Sequence, residues 1–203
     1  MNTNHDADVL RDLPAATEAD LAALHARLAE RAAADGVLDV AYRTLDTPVG
    51  TLLLAATEAG LVRVAFPIEG HDEVLQALAA RISPRVLRAP ARLDAASREI
   101  DEYFAGRRRS FDLPLDYSLS SGFRREVLTP LPGIGYGQTA SYATIAATVG
   151  SPRAFRAVGT ACATNPLPVV VPCHRVIKSG GDLGRYRGGP DAKRFLLDLE
   201  AAA

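Results

Sequence analysis

A chain of 203 residues is long enough to bury a sizeable core, as one domain or as two small ones. Two cysteines, Cys162 and Cys173, and four scattered histidines exclude a disulfide framework and a zinc site of ordinary ligand spacing, so no metal is expected. The formal net charge of −1 conceals a split: residues 1–117 carry 13 Lys and Arg against 19 Asp and Glu, whereas residues 118–203 carry 10 against 5, which suits a polyanion on the second part only.

Met1 to Asp12 is polar and acidic, with no apolar core of a signal peptide, and no apolar run approaches a membrane span; a cytoplasmic protein with no membrane partner is expected. Thr17 to Ala34 is alanine-rich with helical period, Thr17 and Asp20 forming a cap and Gly36 a stop. Its stripe of Leu21, Leu24 and Leu28 fits a packed extension first, with a partner-docking element or an autoinhibitory arm as the alternatives. Val37–Leu45, Thr51–Ala56 and Leu61–Phe66 are apolar and β-branched runs punctuated by Pro and Gly, which predicts an antiparallel meander. His71–Arg81 and Leu93–Ala105 read as helices, the second ending at Gly106 and leading to Arg107-Arg108-Arg109, which fits an exposed turn beside Asp101 and Glu102 first and a phosphate contact second. Phe111–Ser121 has no helical period, and the boundary between two domains is placed there, near residues 116–120.

The remainder predicts short helices. Phe123–Thr129 is followed by the turn-rich Gly133–Gly137, which lacks the Gly-Lys-Ser/Thr ending of a phosphate loop. Tyr142–Val149 is capped by Ser141 and stopped by Gly150; Ser151 then caps a helix that starts at Pro152 and runs to Ala163. The pair makes a helix-turn-helix. Its second helix carries Arg153 and Arg156 on one face, with small Ala157, Gly159 and Thr160 permitting close approach to a nucleic-acid groove. Beyond it, the strand-like Pro168–Val171 delivers Cys173 and His174 to its end. A cysteine attacks as thiolate, and His174 and Arg175 are expected to favour that form.

Taken together, Ile100–Gly106, Ser141-Tyr142, Arg156-Ala157-Val158-Gly159, Asn165-Pro166, Pro172–Val176 and Gly184–Gly189 resemble the O6-alkylguanine-DNA alkyltransferases, over roughly residues 38–203. The resemblance implies an α/β (α+β) protein in three parts: a helical extension over 1–36, a ribonuclease H-like domain with an antiparallel sheet and flanking helices over 37–117, and a helical, winged-helix-like domain over 118–203. It implies direct-reversal repair: Cys173 takes the alkyl group from O6-alkylguanine, with O4-alkylthymine a further candidate, once and without turnover, and no cofactor is needed. It implies that His174 removes the thiol proton through a water, that Glu200 orients His174, and that Tyr142 donates a proton to the leaving guanine. A monomer would bind double-stranded DNA with Arg156 filling the space of the flipped nucleotide, and Asn165 would be the hinge between the recognition helix and the active-site segment. Pro168, Val176, Tyr186 and Arg187 would line the substrate pocket.

The chain departs from that pattern at Leu128, where many relatives have tryptophan, and lacks the zinc ligands some relatives carry. Arg187 stands where some relatives have a small residue, and its length is expected to narrow the rim against bulky O6 groups. The competing functions are alkylated-DNA recognition without chemistry, which the presence of Cys173 disfavours, a regulator using the helix-turn-helix, and a cysteine hydrolase.

Overall fold

The computed structural model describes residues 17–202; the reading of Met1–Asp12 lies outside them. Helix α1 (Glu18–Ala34) opens with the expected cap, Thr17 Oγ1 accepting the Asp20 N–H at 3.2 Å and the Asp20 carboxylate accepting the Thr17 N–H at 3.0 Å. Its leucine stripe does not pack inward. Leu21, Leu24 and Leu28 are 47%, 55% and 52% exposed, while Ala29 and Ala32 are buried with Leu38, Ala41 and Ala89. Contact is confined to the last turns, where alanine lets the helix approach the sheet closely.

Strands β1 (Val40–Leu45), β2 (Leu52–Thr57) and β3 (Gly60–Ala65) form the antiparallel meander, with Ala41 opposite Ala56 and Leu53 opposite Ala65. After α2 (His71–Arg81), a short β4 (Val86–Arg88) pairs parallel to β1, giving the order β3-β2-β1-β4. The sheet is therefore mixed, and a three-residue strand is too short to carry a periodic signal. On one face Leu53, Ala55 and Val62 meet Val74 and Leu78 of α2; on the other, Leu52, Leu54 and Val64 join the main core. Because both faces are covered, β2 and β3 are apolar almost throughout rather than alternating.

Helix α3 (Asp94–Phe104) ends two residues before Gly106, whose φ is +69°. Arg107 and Arg109 of the basic tripeptide are exposed, whereas Arg108 pairs with Glu102 at 2.8 Å and Glu99 at 3.3 Å. Residues 111–121 run irregularly past β3: the Leu61 N–H donates to Pro114 O at 2.8 Å and the Asp116 N–H to Leu61 O at 2.9 Å. Gly60 is required at that approach, since a Cβ there would lie 2.2 Å from Pro114 O.

The second half contains α4 (Gly122–Leu128), α5 (Tyr142–Thr148), α6 (Phe155–Ala163) and α7 (Gly189–Ala201), with β5 (Ala140–Ser141) paired parallel to β6 (Val176–Ile177). One core spans both halves, joining Leu54, Phe66, Ile100 and Tyr103 to Val127, Val158, Val171 and Leu196. Among the described residues no helix is long and apolar enough to cross a membrane.

Candidate active site

Helices α5 and α6 form the helix-turn-helix, but the second begins at Phe155, not Pro152. Ser141 caps α5 as expected, its hydroxyl accepting the Thr144 N–H at 3.0 Å. Ser151 caps nothing: its N–H donates to Ala146 O at 2.8 Å, and its carbonyl accepts the Ala154 N–H at 2.8 Å. Pro152 thus sits second in a four-residue turn, a position its fixed φ suits as well as a helix start. Arg153 consequently lies in that exposed turn rather than on the recognition helix. On α6 itself Arg156, Ala157 and Thr160 are exposed, and Gly159 is half-buried. Arg156, Gly159 and Thr160 line a cleft of about 820 Å³ together with Tyr142, Phe155, Gly184 and Arg185, whereas Ala157 is not among its lining residues.

Pro168–Val171 is not a strand. The Val171 N–H donates to Leu167 O at 2.8 Å, the Cys173 N–H to Val171 O at 2.8 Å, and Val169 has φ of +71°, a strained value for a β-branched residue. The fully buried Asn165 imposes this turn: its Oδ1 accepts the Leu167 N–H at 2.9 Å, and its Nδ2 donates to Val171 O at 2.9 Å and to Cys173 Sγ at 3.1 Å. Cys173 then opens a single 3-10 turn through Arg175, leading into β6. Proline at 166, 168 and 172 explains why a valine run does not extend here, since each removes a ladder donor.

Behind the thiol, Glu200 on the last turn of α7 gathers four donors. His174 Nε2 lies 2.8 Å from Oε1, the Tyr103 hydroxyl donates to Oε1 at 2.7 Å, Arg175 Nε donates to Oε2 at 2.9 Å, and the Gly137 N–H donates to Oε2 at 3.1 Å. Burial would raise the Glu200 carboxyl, but the bonds from His174, Arg175 and Tyr103 win and hold it down to about 2. Burial also keeps His174 below its ordinary value, against the pull of Glu200, so the imidazole is neutral. With Nε2 turned to Glu200, Nδ1 is buried without a protein partner.

The expectation that His174 and Arg175 lower the thiol pKa is corrected, because both are committed to Glu200. Burial pushes Cys173 up, and its thiolate is favoured in turn by the Asn165 amide, the charge of Lys193, a backbone hydrogen bond and the charge of Arg187. Lys193 Nζ is anchored on the carbonyls of Val176, at 2.6 Å, and Leu183. Tyr142 is pushed up to about 12, by burial and then by the two cysteines, so its hydroxyl keeps its proton at neutral pH. A Cβ on Gly184 would lie 2.4 Å from that hydroxyl, which is how glycine admits the ring to the cleft.

Tyr186 is buried with its ring edge-on to His174, centroids 6.3 Å apart; Pro168 and Val176 are buried on either side of the thiol segment. Arg187 does not hang free over a rim: its Nε is paired with Glu69 and its Nη1 donates to Thr164 O at 3.0 Å. Tyr103 and Lys193 enter this network without a role expected from the sequence, and Arg175, expected to act on the thiol, acts on Glu200 instead. Tyr103 stands within the Ile100–Gly106 match and Arg175 within Pro172–Val176, whereas Lys193 lies in no matched motif. Among the described residues no group of three or more His, Cys, Asp or Glu could hold a metal.

A family model described as the DNA binding domain of 6-O-methylguanine DNA methyltransferase matches residues 122–202, and one described as the ribonuclease-like domain of the same protein matches residues 40–117. The chain is 38% identical over 159 residues to the methylated-DNA–protein-cysteine methyltransferase of Methanosarcina barkeri, covering 78% of this chain and 96% of that protein. It is 40% identical over 163 residues to the constitutive methylated-DNA–protein-cysteine methyltransferase of Bacillus subtilis, covering 78% and 94%. Among solved structures, the O6-methylguanine methyltransferase of Mycobacterium tuberculosis superposes with a TM-score of 0.70 at 36% identity, covering 80% of this chain and 93% of that one. The M. tuberculosis OGT in complex with DNA superposes with a TM-score of 0.69 at 36% identity, with the same coverage.

Proposed function

The chain belongs to the 6-O-methylguanine DNA methyltransferase family, and from that membership we propose how its own residues perform the reaction. The protein is a methylated-DNA–protein-cysteine methyltransferase, repairing DNA by alkyl transfer to a cysteine of its own chain. Cys173 is the acceptor: Sγ attacks the alkyl carbon on guanine O6, an S–C bond forms as the C–O bond breaks, and a thioether remains. The thiol proton passes through a water to His174 Nδ1, the ring nitrogen that Glu200 leaves unengaged, and Tyr142 gives its hydroxyl proton to the departing guanine. Reversal would require the unactivated S–C bond of the thioether to expel a thiolate, so each molecule acts once.

The observation that carries this assignment is the buried line of Asn165 Nδ2 on Cys173 Sγ at 3.1 Å with His174 on Glu200 at 2.8 Å immediately behind it. A thiol buried this deeply meets a guanine only if the nucleotide leaves the stack. Arg156, exposed on α6 at the cleft, fills the vacated position from the minor groove, and Gly159 and Thr160 let the backbone approach. The partner is duplex DNA bearing O6-alkylguanine, bound by a cytoplasmic monomer. The division at 117/118 is supported by the break between the two matched regions.

The deciding experiment is the intact mass of the protein after incubation with DNA holding one O6-methylguanine, beside Cys173→Ala. Wild type gains the mass of one methyl group and no more, and the variant gains none. Tight binding of the lesion by wild type without mass gain would instead assign alkylated-DNA recognition.

A further inference from the structure

The segment from Arg63 to Glu69, at the end of β3 and the turn after it, is one place where the N-terminal half grips the reactive half, apart from the Tyr103–Glu200 bond. The Val64 N–H donates to Pro166 O at 2.9 Å, and Arg63 Nη1 donates to the same carbonyl at 3.1 Å. Glu69 lies between two guanidinium groups, with Oε2 paired to Arg63 Nη2 and to Arg187 Nε, while its Oε1 accepts the Phe66 N–H at 2.9 Å. The cluster is shielded: the side chains of Arg63, Glu69 and Arg187 are 5%, 11% and 31% exposed. Phe66, whose backbone the same carboxylate holds, meets Tyr186 edge-on at 5.6 Å between ring centroids. The backbone there is close as well, since a Cβ on Gly188 would lie 2.7 Å from the Phe66 ring.

These contacts converge on two pieces of the alkyl-transfer site. Arg187 follows Tyr186 directly, and its second hydrogen bond goes to Thr164 O, one residue before Asn165. Pro166, held by Val64 and Arg63, is one residue after Asn165. One carboxylate from the N-terminal half thereby anchors both the loop that carries Tyr186 and the backbone on either side of the amide that contacts Cys173 Sγ.

We propose that Glu69 is a positioning residue for alkyl transfer, fixing through Arg187 and Arg63 the pocket loop at Tyr186 and the hinge at Asn165. The inference rests on Cys173 as the acceptor. It assigns to the N-terminal half a part in the reaction that no motif in the sequence marks. It also changes the role of Arg187, whose length serves to reach Glu69 rather than to crowd the substrate.

The test compares wild type with Glu69→Gln, which removes the charge at constant shape, Glu69→Asp, which keeps the charge, and Arg187→Met, which cuts the loop tether while leaving the Arg63–Glu69 pair. Single-turnover transfer is measured from O6-methylguanine in duplex DNA and from free O6-benzylguanine base, with duplex affinity and thermal midpoint recorded for each protein. Misplacement on the scale of an ångström lowers such rates steeply, so Glu69→Gln and Arg187→Met should both lose about tenfold or more in transfer. They should also shift the ratio of benzyl to methyl transfer, with duplex affinity unchanged and part of the loss recovered in Glu69→Asp. Wild-type rates in variants shown to be folded, or losses that track the folded fraction with an unaltered benzyl-to-methyl ratio, would overturn the proposal. Failure of wild type to accept a group from either substrate would instead strike the acceptor assignment, and this inference with it.

Discussion

Two buried carboxylates organise this molecule, and they do so differently. Glu200 stands on a regular helix and collects donors from four places in the chain: Tyr103, Gly137, His174 and Arg175. Glu69 stands in an irregular turn and collects only two arginines and a backbone N–H, but those arginines reach Thr164, Pro166 and the Tyr186 loop. The first carboxylate orients a reacting group, fixing through its bond to Nε2 an imidazole that burial keeps neutral. The second sets position, joining separate stretches of backbone. Burial with arginine is common to both, so burial alone does not reveal which kind of service a carboxylate performs.

Substitution separates the two. The largest effect is expected at the reacting atom itself: Cys173→Ala abolishes alkyl transfer while leaving lesion binding, read by mass and by gel shift. Next is Glu200→Ala, which strands Arg175 in the interior; removing one partner of a buried pair costs about 3–5 kcal/mol, and chemical denaturation should show a lowered midpoint together with loss of transfer. Asn165→Ala deletes three hydrogen bonds, leaving the Leu167 N–H unpaired and Val171 O with only the Cys173 N–H, for about 2 kcal/mol of stability. Arg156→Ala leaves the fold intact and lowers transfer from duplex DNA while sparing the free base; equal losses on both substrates would remove its extrusion role.

The smallest and most graded effect is that of acid. Glu200 ionises at about 2 in the fold and near 4.5 in the unfolded chain, so its stabilisation is full above 4.5 and is lost as pH falls toward 2. His174, held neutral below its ordinary 6.5, acts in the same direction, because the unfolded chain takes up its proton first as pH falls below 6.5. Stability measured by denaturant should therefore decline from pH 6.5 downward. In Glu200→Gln the lower part of that decline should be missing.

The regular elements were readable because their periods and stops are local. Thr17 with Asp20, Gly106 and Ser141 each act within one turn, and the structure places them where the sequence does. The reacting pair of Cys173 and His174 was legible from its neighbours in sequence. What could not be read is set by partners distant in the chain. Tyr103 meets Glu200 across 97 positions, and Arg187 meets Glu69 across 118. The valine run 169–171 departs from expectation for a different reason: local β propensity favours a strand, and the side chain of Asn165, six residues before Val171, overrides it. Leu21, Leu24 and Leu28 show the converse, a clear periodic stripe whose helix meets the protein only through its alanines.

The turn at Pro168–Val171 also bears on the chain before it folds. A run of three valines followed closely by Val176 and Ile177 is the kind of segment that recruits identical segments from other copies into intermolecular ladders. Pro166, Pro168 and Pro172 bracket it, and a proline can neither donate to such a ladder nor sit comfortably inside one. The residues that keep the acceptor segment bent in the native protein thus act as gatekeepers against aggregation during synthesis, when no Asn165 contact yet restrains the run.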